Sequence, residues 1–380
     1  MISQEEYKVH YQSVRELYIK IQLLDGVTER VIDELQGVCV DGNINIKANQ
    51  DIFRTCNLTM VVKNQSYLPS PSSRIWMNRK FRVFTGIKNL VTGEIVWFNK
   101  NNGGYGLFVM NKPVIDSTLT HTTLSIEGLD KMCLMNGKLD GYLAKAVEFK
   151  LPVGTPIDSA VRSTWQQLGG ETKLNIDSAT SGMTLPYTIE KKPNDTVYSI
   201  LKEINDLYMG WQVFYDTNGY GVYTKIKNRL TDPIAWDFTD FDFRVDSKSE
   251  PDFENIFNAV WVWGKKKTDG TQIKAYKENT DIKNPFSIPN LYKKEMTVTD
   301  DKIFTQEQAN IRADYELWKH SNLNEKISIS CLPIYILKEN DIIYFNKPED
   351  GLVGKYLVDE LSFNLKYDSL MNINAHKLYN

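Results

Sequence analysis

Apolar and polar residues alternate in several stretches between residues 15 and 147. In "LYIKIQL" every second residue from Leu17 to Leu23 is apolar, and "RTCNLTMVV" places Cys56 and Leu58 on one face. The same alternation recurs in "RKFRVFTGI", "GEIVWFN", "GYGLFVM" and "TTLSIEGLD". It is typical of antiparallel strands with one buried face. After a short N-terminal helix, this part of the chain is therefore predicted to form one β-domain, a barrel or a sandwich.

The pattern becomes helical in the next part of the chain, residues 148–228. "LPVGTPIDSAVRSTWQQLGG" predicts an amphipathic helix that is capped by Thr155, has Pro156 at its first helical position and ends at Gly169. "NDTVYSILKEINDLYMG" predicts a second helix that ends just before Gly210. We interpret this part as a small α/β insert.

The stretch "NGYGVYTK", from Asn218 to Lys225, has three possible interpretations. As an RNA-reading strand it lacks the basic first residue and has Val222 where an aromatic residue should stack on a base. As a phosphate-binding loop it lacks the required glycine and lysine spacing. Two alternating runs flank it, and Asn218 with Gly219 supplies the positive φ of a tight turn. A β-hairpin is therefore the favoured interpretation.

The last part of the chain, residues 229–380, returns to strand patterns with one interruption. "NIFNAVWVWG" predicts a buried strand, and a polar, lysine-rich stretch follows it. Thr305 and Gln308 fit a capping box that opens a helix. "EKISISCLPI", "NDIIYF" and "GKYLVDELSFNLKYD" are strand-like again. We predict a second β-domain with an insertion at about 264–320, which makes the chain mainly β, of the α+β class.

Candidate catalytic chemistry is sparse. Asp240 and Asp242 in "DFDFRVD" could hold a metal ion or act in a glycosidase, but beside Arg244 they are more typical of a solvated strand face. The four histidines lie in separate segments, and none accompanies a recognisable nucleophile. We therefore predict a protein that is not an enzyme and has no catalytic, cofactor-binding or metal-binding residues.

Cysteine usage and charge exclude further classes. The four cysteines are far apart without a C-x-x-C pair, which argues against a zinc site or a disulfide framework. Lys and Arg number 45 against 48 Asp and Glu, so the net charge of −3 does not favour a protein that grips a polyphosphate backbone. The N-terminus lacks the features of a signal peptide, and no window approaches a membrane-spanning length. We expect cytosolic synthesis, a soluble chain and no membrane partner.

Several stretches together resemble a known family, the central baseplate hub proteins of contractile tails. They are "DGNINIKANQDIFRTCNLTMVV", "GGYGLFVMNKPVIDS", "SIEGLDKMCLMNGKLDGYL" and the closing "GKYLVDELSFNLKYDSLMNINAHKLY". The insert "LPYTIEKKPNDTVYSILKEINDLYMGWQVFYDTNGYG" resembles the middle domain of the same family. Such tails belong to myophages, prophages and phage-tail-like bacteriocins of Gram-positive bacteria. The resemblance is one of segment order and strand context over most of residues 12–380.

The resemblance implies two tube-like antiparallel β-barrels in one chain. The first would occupy residues 1–147 with the N-terminal helix, the α/β middle domain 148–228, and the second barrel 229–380 with its insertion. Three chains would then place six similar barrels in a ring around the tail axis. Such a homotrimer is expected to adapt the sixfold tail tube to the threefold central spike.

The same resemblance implies the partners and the location of the protein. Expected partners are the central spike, tail tube or tube-initiator proteins, and baseplate wedge and tape-measure proteins. In a phage, DNA would pass through the lumen without specific binding. The protein would be made in the host bacterial cytoplasm and reside in the baseplate of a virion tail or tailocin particle.

Two alternatives remain open from the residues. A carbohydrate-binding β-sandwich adhesin of a tail or cell surface would use exposed aromatic residues such as Trp76, Trp97 and Trp211 to stack on sugars. A glycoside or peptide hydrolase could use Asp240 with Asp242.

Overall fold

The structure, a computed structural model, describes most of the 380-residue chain. The described residues are 4–48, 50–77, 79–143, 149–226, 231–239, 243–321 and 324–378. The helices are α1 (Gln4–Val9), α2 (Ile157–Ser163), α3 (Val197–Asp206) and α4 (Gln306–His320). Short 3-10 turns lie at Gln65–Tyr67, Lys131–Leu134, Ser178–Thr180 and Pro348–Asp350. Among the described residues, no helix is both long and apolar enough to span a membrane.

Strands dominate the fold, as the alternation predicts. In the first part of the chain they are β1 (Leu17–Asp25), β2 (Val31–Gln36), β3 (Cys39–Lys47), β4 (Arg54–Val61), β5 (Arg79–Lys88), β6 (Ile95–Trp97), β7 (Leu107–Ser117) and β8 (Thr122–Asp130). In the middle they are β9 (Phe149–Leu151), β10 (Leu174–Ile176), β11 (Ile189–Lys191), β12 (Trp211–Tyr215) and β13 (Gly221–Lys225). In the last part they are β14 (Ile234–Asp237), β15 (Arg244–Asp252), β16 (Ala259–Lys266), β17 (Gln272–Glu278), β18 (Glu295–Thr299), β19 (Asn324–Cys331), β20 (Ile342–Lys347), β21 (Leu352–Asn364) and β22 (Met371–Lys377).

One large, mostly antiparallel sheet of 14 strands contains both ends of the chain. Its strand order is β15-β19-β22-β21-β3-β4-β8-β7-β5-β1-β2, with β6, β14 and β20 attached beside this path. The two halves meet where β21 pairs with β3, and Phe363 lies opposite Ile44 there. The mainly β class is confirmed. Among the described strands, neither half of the sheet closes into a barrel of its own. Strand β21 pairs with β3 of the other half instead.

The strand order is repeated between the two halves of this sheet. The first half contains the order β3-β4-β8-β7-β5, and the second contains β15-β19-β22-β21-β20. If the five strands of each half are numbered along the chain, both halves have the same spatial order, namely first, second, fifth, fourth and third. The long strands β7 and β21 also share a local irregularity, between Asn111 and Val114 in one and between Val358 and Glu360 in the other. A register shift of this kind marks a β-bulge.

One hydrophobic core covers the inner face of both halves. Cys56, Leu58 and Met60 of β4 are buried, and so are Ile327 and Ile329 of β19. These side chains belong to the same cluster of contacting residues. The predicted face of β4 is therefore confirmed. A continuous core explains why the sheet continues from one half of the chain into the other.

The middle of the chain has its own core. Helices α2 and α3 pack beside the three-stranded sheet β10-β13-β12, and Trp165 and Ile200 are fully buried between them. The predicted cap of α2 is wrong, because Thr155 Oγ1 donates to Pro152 O (2.7 Å) and Pro156 is the N-cap without a side-chain bond. The helix continues as a π-helical segment, Thr164–Leu168.

The predicted hairpin around "NGYG" is confirmed. Strand β12 pairs with β13, and the main-chain N–H of Asp216 donates to Tyr220 O (2.9 Å) across the loop. Gly219 has a φ of 84°, whereas Asn218 keeps an ordinary negative φ. Only the glycine therefore adopts the left-handed conformation.

A separate unit lies between β15 and β19. Strand β16, predicted from "NIFNAVWVWG", pairs with β17 and β18 rather than with the large sheet. Helix α4 packs against this small sheet and buries Ala309 and Ala313. The predicted capping box is confirmed, since Thr305 and Gln308 exchange side-chain to main-chain hydrogen bonds.

Candidate functional site

The aromatic residues required by the adhesin alternative do not form an exposed platform. Trp76 and Trp97 are half-buried, and the ammonium of Lys20 lies 4.6 Å from the Trp97 ring. Trp211 is only 8% exposed, and its ring stacks on Tyr223 at a centroid distance of 4.9 Å. The prediction that Trp211 is exposed is wrong, because β12 directs its indole into the core of the insert.

The acidic pair required by the hydrolase alternative, Asp240 and Asp242, lies outside the described residues. Across the part of the chain that the structure describes, no group of three or more His, Cys, Asp or Glu side chains is placed to hold a metal ion.

Cys39, Cys56 and Cys133 are free thiols. Cys56, Cys133 and Cys331 are buried and Cys39 is half-buried. Burial raises the pKa of the Cys39 thiol to about 11 and that of Cys56 well above its usual range. Neutral thiols of this kind are poor nucleophiles. The prediction that Cys56 is a packed free thiol is confirmed.

A groove of about 660 Å³ lies between α4, the sheet strands β19 and β22, and the end of the hairpin β12–β13. It brings together His320 and His376, which are distant in the sequence. His376 Nδ1 lies 2.7 Å from Asp359 Oδ2, as in a general-base pair. Ser328 also lines the groove, but its hydroxyl donates to Asn374 Oδ1 (2.8 Å). The arrangement therefore leaves the serine hydroxyl bonded to an amide rather than to the histidine.

The most heavily buried charges lie where three parts of the chain meet. Arg54 of β4 is 1% exposed, and its guanidinium donates to Glu339 Oε1, before β20, and to Tyr215 O of the insert. Its main-chain N–H donates to Asp130 Oδ2 (3.0 Å) at the end of β8. One side chain thus connects the two halves of the large sheet with the α/β insert.

Burial changes the proton affinity of this junction. Desolvation lowers the pKa of Arg54 to about 10 against the opposing attraction of Asp130. Desolvation likewise raises the pKa of Asp130 to about 6, although Arg54 favours its charged form. Arg54 therefore keeps its charge at neutral pH, and its partner Glu339 neutralises that charge.

A second ionic cluster fastens the insert to the first half of the sheet. Glu29, in the β1–β2 turn, accepts from Lys80 (2.7 Å) and from Lys173 of the insert (2.6 Å). Lys131 lies 2.9 Å from the same carboxylate and also pairs with Glu171 of the insert. Burial would raise the pKa of Glu29, but the hydrogen bonds from Lys173 and Lys80 and the charge of Lys131 lower it to about 2. Glu29 therefore stays ionised throughout the physiological range.

The tip of the "NGYG" hairpin docks against this cluster. Lys131 Nζ donates to Gly219 O (3.1 Å), and Arg82 Nη2 donates to Asn218 O (3.3 Å). A Cβ atom on Gly103 would collide with Thr217 O, so the loop after β6 comes close only because residue 103 is a glycine. The hairpin tip is therefore an internal contact between the insert and the sheet.

The N-terminal helix is held between the two halves of the chain by His10. The imidazole is fully buried, its Nδ1–H donates to Glu6 O (2.7 Å), and its Nε2 accepts from the main-chain N–H of Tyr335 (3.0 Å). The bond accepted at Nε2 requires the neutral ring, with its proton on Nδ1. Desolvation, aided by the charge of Arg15, lowers the pKa of His10 to about 3. The Phe98 ring lies beside the imidazole, tilted by 42° at a centroid distance of 4.7 Å.

The arrangement of these residues is suited to holding parts of the chain together. The buried charges of Arg54 and Glu339 are paired with each other, and Lys131 is paired with Glu29 and Glu171. Arg54 and Lys131 also donate to main-chain carbonyls. Sequence reasoning missed all of them, because a lysine or arginine in a strand pattern usually marks a solvated face. The weak available signal was Arg54 itself, which continues the alternation of Cys56 and Leu58 onto the buried face.

Comparisons with known proteins match this architecture. The family described as a domain of unknown function, DUF5048, matches residues 283–380. No curated protein sequence matches the chain. Among solved structures, the 43 kDa tail protein of prophage MuSo2 from Shewanella oneidensis has a TM-score of 0.62 and 14% identity, covering 95% of this chain and 98% of that one. The present chain has a tail-protein fold.

Further solved structures are similar to nearly the full length of this chain. A tail protein from Neisseria meningitidis MC58 has a TM-score of 0.61 and 11% identity, covering 95% of this chain and 96% of that one. A chain of the Francisella PdpA-VgrG complex has a TM-score of 0.59 and 11% identity, covering 99% of this chain and 60% of that one. The resemblance to tail proteins is thus confirmed at the level of the fold.

Proposed function

We propose that this protein is the structural hub of a contractile-tail baseplate. In this role three copies form a ring that adapts the sixfold tail tube to the threefold central spike. The observation that carries the proposal is the repeated strand order, β3-β4-β8-β7-β5 and β15-β19-β22-β21-β20, inside a chain with a tail-protein fold. With two similar units per chain, a trimer has six similar units. Six units match the sixfold tail tube, and three chains match the threefold spike.

The proposal assigns a role to each part of the chain. Residues 1–147 and 229–380 are the two tube-like barrel units, and residues 148–228 are the middle domain between them. The separate unit of β16–β18 and α4 is an outer appendage of the second tube-like unit. It begins before the predicted start of the insertion at about 264, because it includes β16 (Ala259–Lys266). The ionic junctions at Arg54 and Glu29 keep the middle domain in a fixed orientation to the tube units. A fixed orientation is what a ring needs, because small tilts in each subunit prevent closure.

The proposed partners are the central spike on one side and tail tube or tube-initiator proteins on the other. Wedge and tape-measure proteins complete the neighbourhood in the baseplate of a virion or tailocin. In a phage particle, DNA passes through the ring without specific binding, which agrees with the net charge of −3. The role is structural rather than enzymatic, which agrees with the Ser328 hydroxyl being bonded to Asn374.

Co-expression with the spike protein encoded in the same tail gene cluster tests the proposal. We expect the isolated chain to be monomeric or weakly associated and the co-expressed pair to form a 3:3 complex in mass photometry. Electron microscopy of intact tails should place an antibody label on the tail axis, at a channel wide enough for duplex DNA. A stoichiometry other than three, or a label at the tail fibres, contradicts the hub assignment and favours the adhesin.

A further inference from the structure

Strand β15 and the second part of β7 are two of the unpaired edges of the large sheet. Strand β15 ends the sheet and pairs only with β19 among the described strands, and its Val245 is 63% exposed. Strand β7 pairs with β5 only through Leu107–Val109, so its residues 112–117 have β8 on one side alone. Val114 and Ile115 in this segment are 59% and 48% exposed. Unpaired edges with apolar side chains are sites where another chain can add.

The repeat makes these two edges equivalent to a pair that is already joined within the chain. Pairing of β7 with β5 stops at Val109, and pairing of β21 with β20 stops at Leu357. After that point β21 pairs with β3, from Glu360 to Asn364. The corresponding segment of β7 is the unpaired one.

Residues that face each other on successive strands form a row across each half, and comparing the rows shows which residue of one half corresponds to which residue of the other. One row is Met110, Gly128, Cys56 and Ile44, and the other is Val358, Ala375, Ile327 and Ser249. Met110 thus corresponds to Val358 on the long strands, and Ile44 corresponds to Ser249 on the outer strands. Strand β15 is the counterpart of β3.

We propose that β7 residues 112–117 of one copy lie against β15 of a second copy, in the register that β21 and β3 have within the chain. The inference rests on the proposed function, because it supplies the contact between copies in the ring. Phe363 lies opposite Ile44 in the existing pair. The same register places Ile115 opposite Ser249 of the second copy.

The charges on the two edges are complementary in this register. Glu360 lies opposite Lys47 in the existing pair, and the two form an ion pair of 3.5 Å. At the equivalent positions of the proposed contact, Lys112 lies opposite Asp252 of the second copy. Asn364 lies opposite Asn43 in the existing pair, and the equivalent residues of the proposed contact are Asp116 and Lys248 of the second copy. Opposite charges at facing positions stabilise antiparallel pairs, whereas a register shifted by four residues would place Asp116 opposite Asp252.

Prolines on the two edges limit this contact. Pro113 and Pro251 face each other in the proposed register, and neither has an N–H group to donate. Main-chain bonds are therefore confined to the residues on either side of the prolines. Prolines on edge strands also protect against uncontrolled pairing. The contact is accordingly weak for one pair of copies and becomes stable when the ring closes.

Cysteine cross-linking of the full chain tests the register. Facing positions of an antiparallel pair have Cα atoms about 4.5–5.5 Å apart, within the range of a disulfide. In a Cys39→Ser background, Asp116→Cys with Lys248→Cys should give cross-linked species of two and three chains after oxidation of concentrated protein. The matched control, Asp116→Cys with Val245→Cys, should give none. No cross-linked species, or equal yields from both variants, overturns the proposal.

Charge reversal gives an independent readout in the complex with the spike. Asp116→Lys should cause loss of the three-chain complex, and adding Lys248→Asp should restore it. Restoration of the complex would show that Asp116→Lys breaks the contact between copies and does not misfold the chain. If the complex has three chains but the double variant stays dissociated and the cysteines do not cross-link, the proposed register is wrong and the hub function stands. If no three-chain complex forms with the unaltered protein, the proposed function itself fails.

Discussion

Arg54 and Glu339 form a buried ion pair although they are 285 positions apart in the chain. Their side chains are 1% and 7% exposed, so neither charge is well solvated if the other is removed. We expect Arg54→Leu to lower the free energy of unfolding by about 3–5 kcal/mol, because it leaves Glu339 as an uncompensated buried charge. Urea denaturation measures this loss.

The double variant Arg54→Leu with Glu339→Leu should recover most of that stability, since neither member of the pair is then left as a buried charge without its partner. Arg74, whose side chain is 46% exposed in its pair with Asp33, provides the control, and Arg74→Leu should have a much smaller effect. A double variant no more stable than Arg54→Leu alone would show that the pair is not the source of the loss.

The alternation along β4 predicts a strong contrast between neighbouring positions. Leu58 is 1% exposed in the main core, whereas the hydroxyl of Thr59 reaches Ser125 on the other face of the sheet (3.0 Å). Leu58→Asp should cost about 4 kcal/mol, because it places a carboxylate in apolar surroundings. Thr59→Asp should be mild. Equal shifts in thermal stability would mean that the register of β4 is wrong.

The hairpin tip predicts a conformational requirement at Gly219. Its φ of 84° is unfavourable for a β-branched residue, and an added Cβ would lie 3.1 Å from Leu107 Cδ1. Gly219→Val should therefore destabilise the protein by about 1–3 kcal/mol in thermal unfolding. Gly219→Asn should cost less, because asparagine tolerates the left-handed region.

Tyr220, next to this glycine, separates the hairpin from an RNA-reading strand. Its ring is 41% exposed, as a base-stacking residue would be. We expect Tyr220→Ala to leave nucleic-acid binding at background in a gel-shift assay at low salt. Binding that depends on both Tyr220 and salt would support RNA recognition instead.

The buried His10 predicts a specific loss of stability in acid. Its folded pKa is about 3 against 6.5 for the unfolded chain, so the unfolded state binds the extra proton between these values. Its contribution to stability is complete above pH 6.5 and falls by up to about 1.4 kcal/mol per pH unit on acidification. The His10→Gln variant should lose this slope relative to the unaltered protein in denaturation curves from pH 7 to pH 4.

His121 is the matched control for this experiment. It lies at the exposed end of the β7–β8 hairpin, bonded only to nearby threonines in that turn. His121→Gln should leave the pH dependence of unfolding unchanged. The same change of slope in both variants would rule out the buried imidazole as its origin.

Local features of this fold were predictable from the sequence, and distant pairings were not. The buried face around Leu58 and the capping box of Thr305 depend on residues a few positions apart. The pairing of Phe363 with Ile44 joins the two ends of the chain and leaves no local signal. The alternation shows which face of a strand is buried but not which strand lies beside it.

The ionic junctions escaped prediction for a related reason. A lysine such as Lys131 is usually solvated, and only the fold brings Glu29 and Glu171 to it. The placement of β16 in a small separate sheet was missed because an apolar strand fits either sheet equally well. The adhesin alternative required an exposed Trp211, and the sequence does not show that Tyr223 covers its ring.

The repeat in the large sheet is unequal, because the unit containing β16–β18 and α4 interrupts only its second half. Identical halves made as separate chains would have to carry every change on both copies. Joined in one polypeptide, each half can accumulate substitutions and appendages of its own. In the proposed ring, two different outer surfaces therefore alternate around a wall of similar units, and the appendage occurs on every second unit.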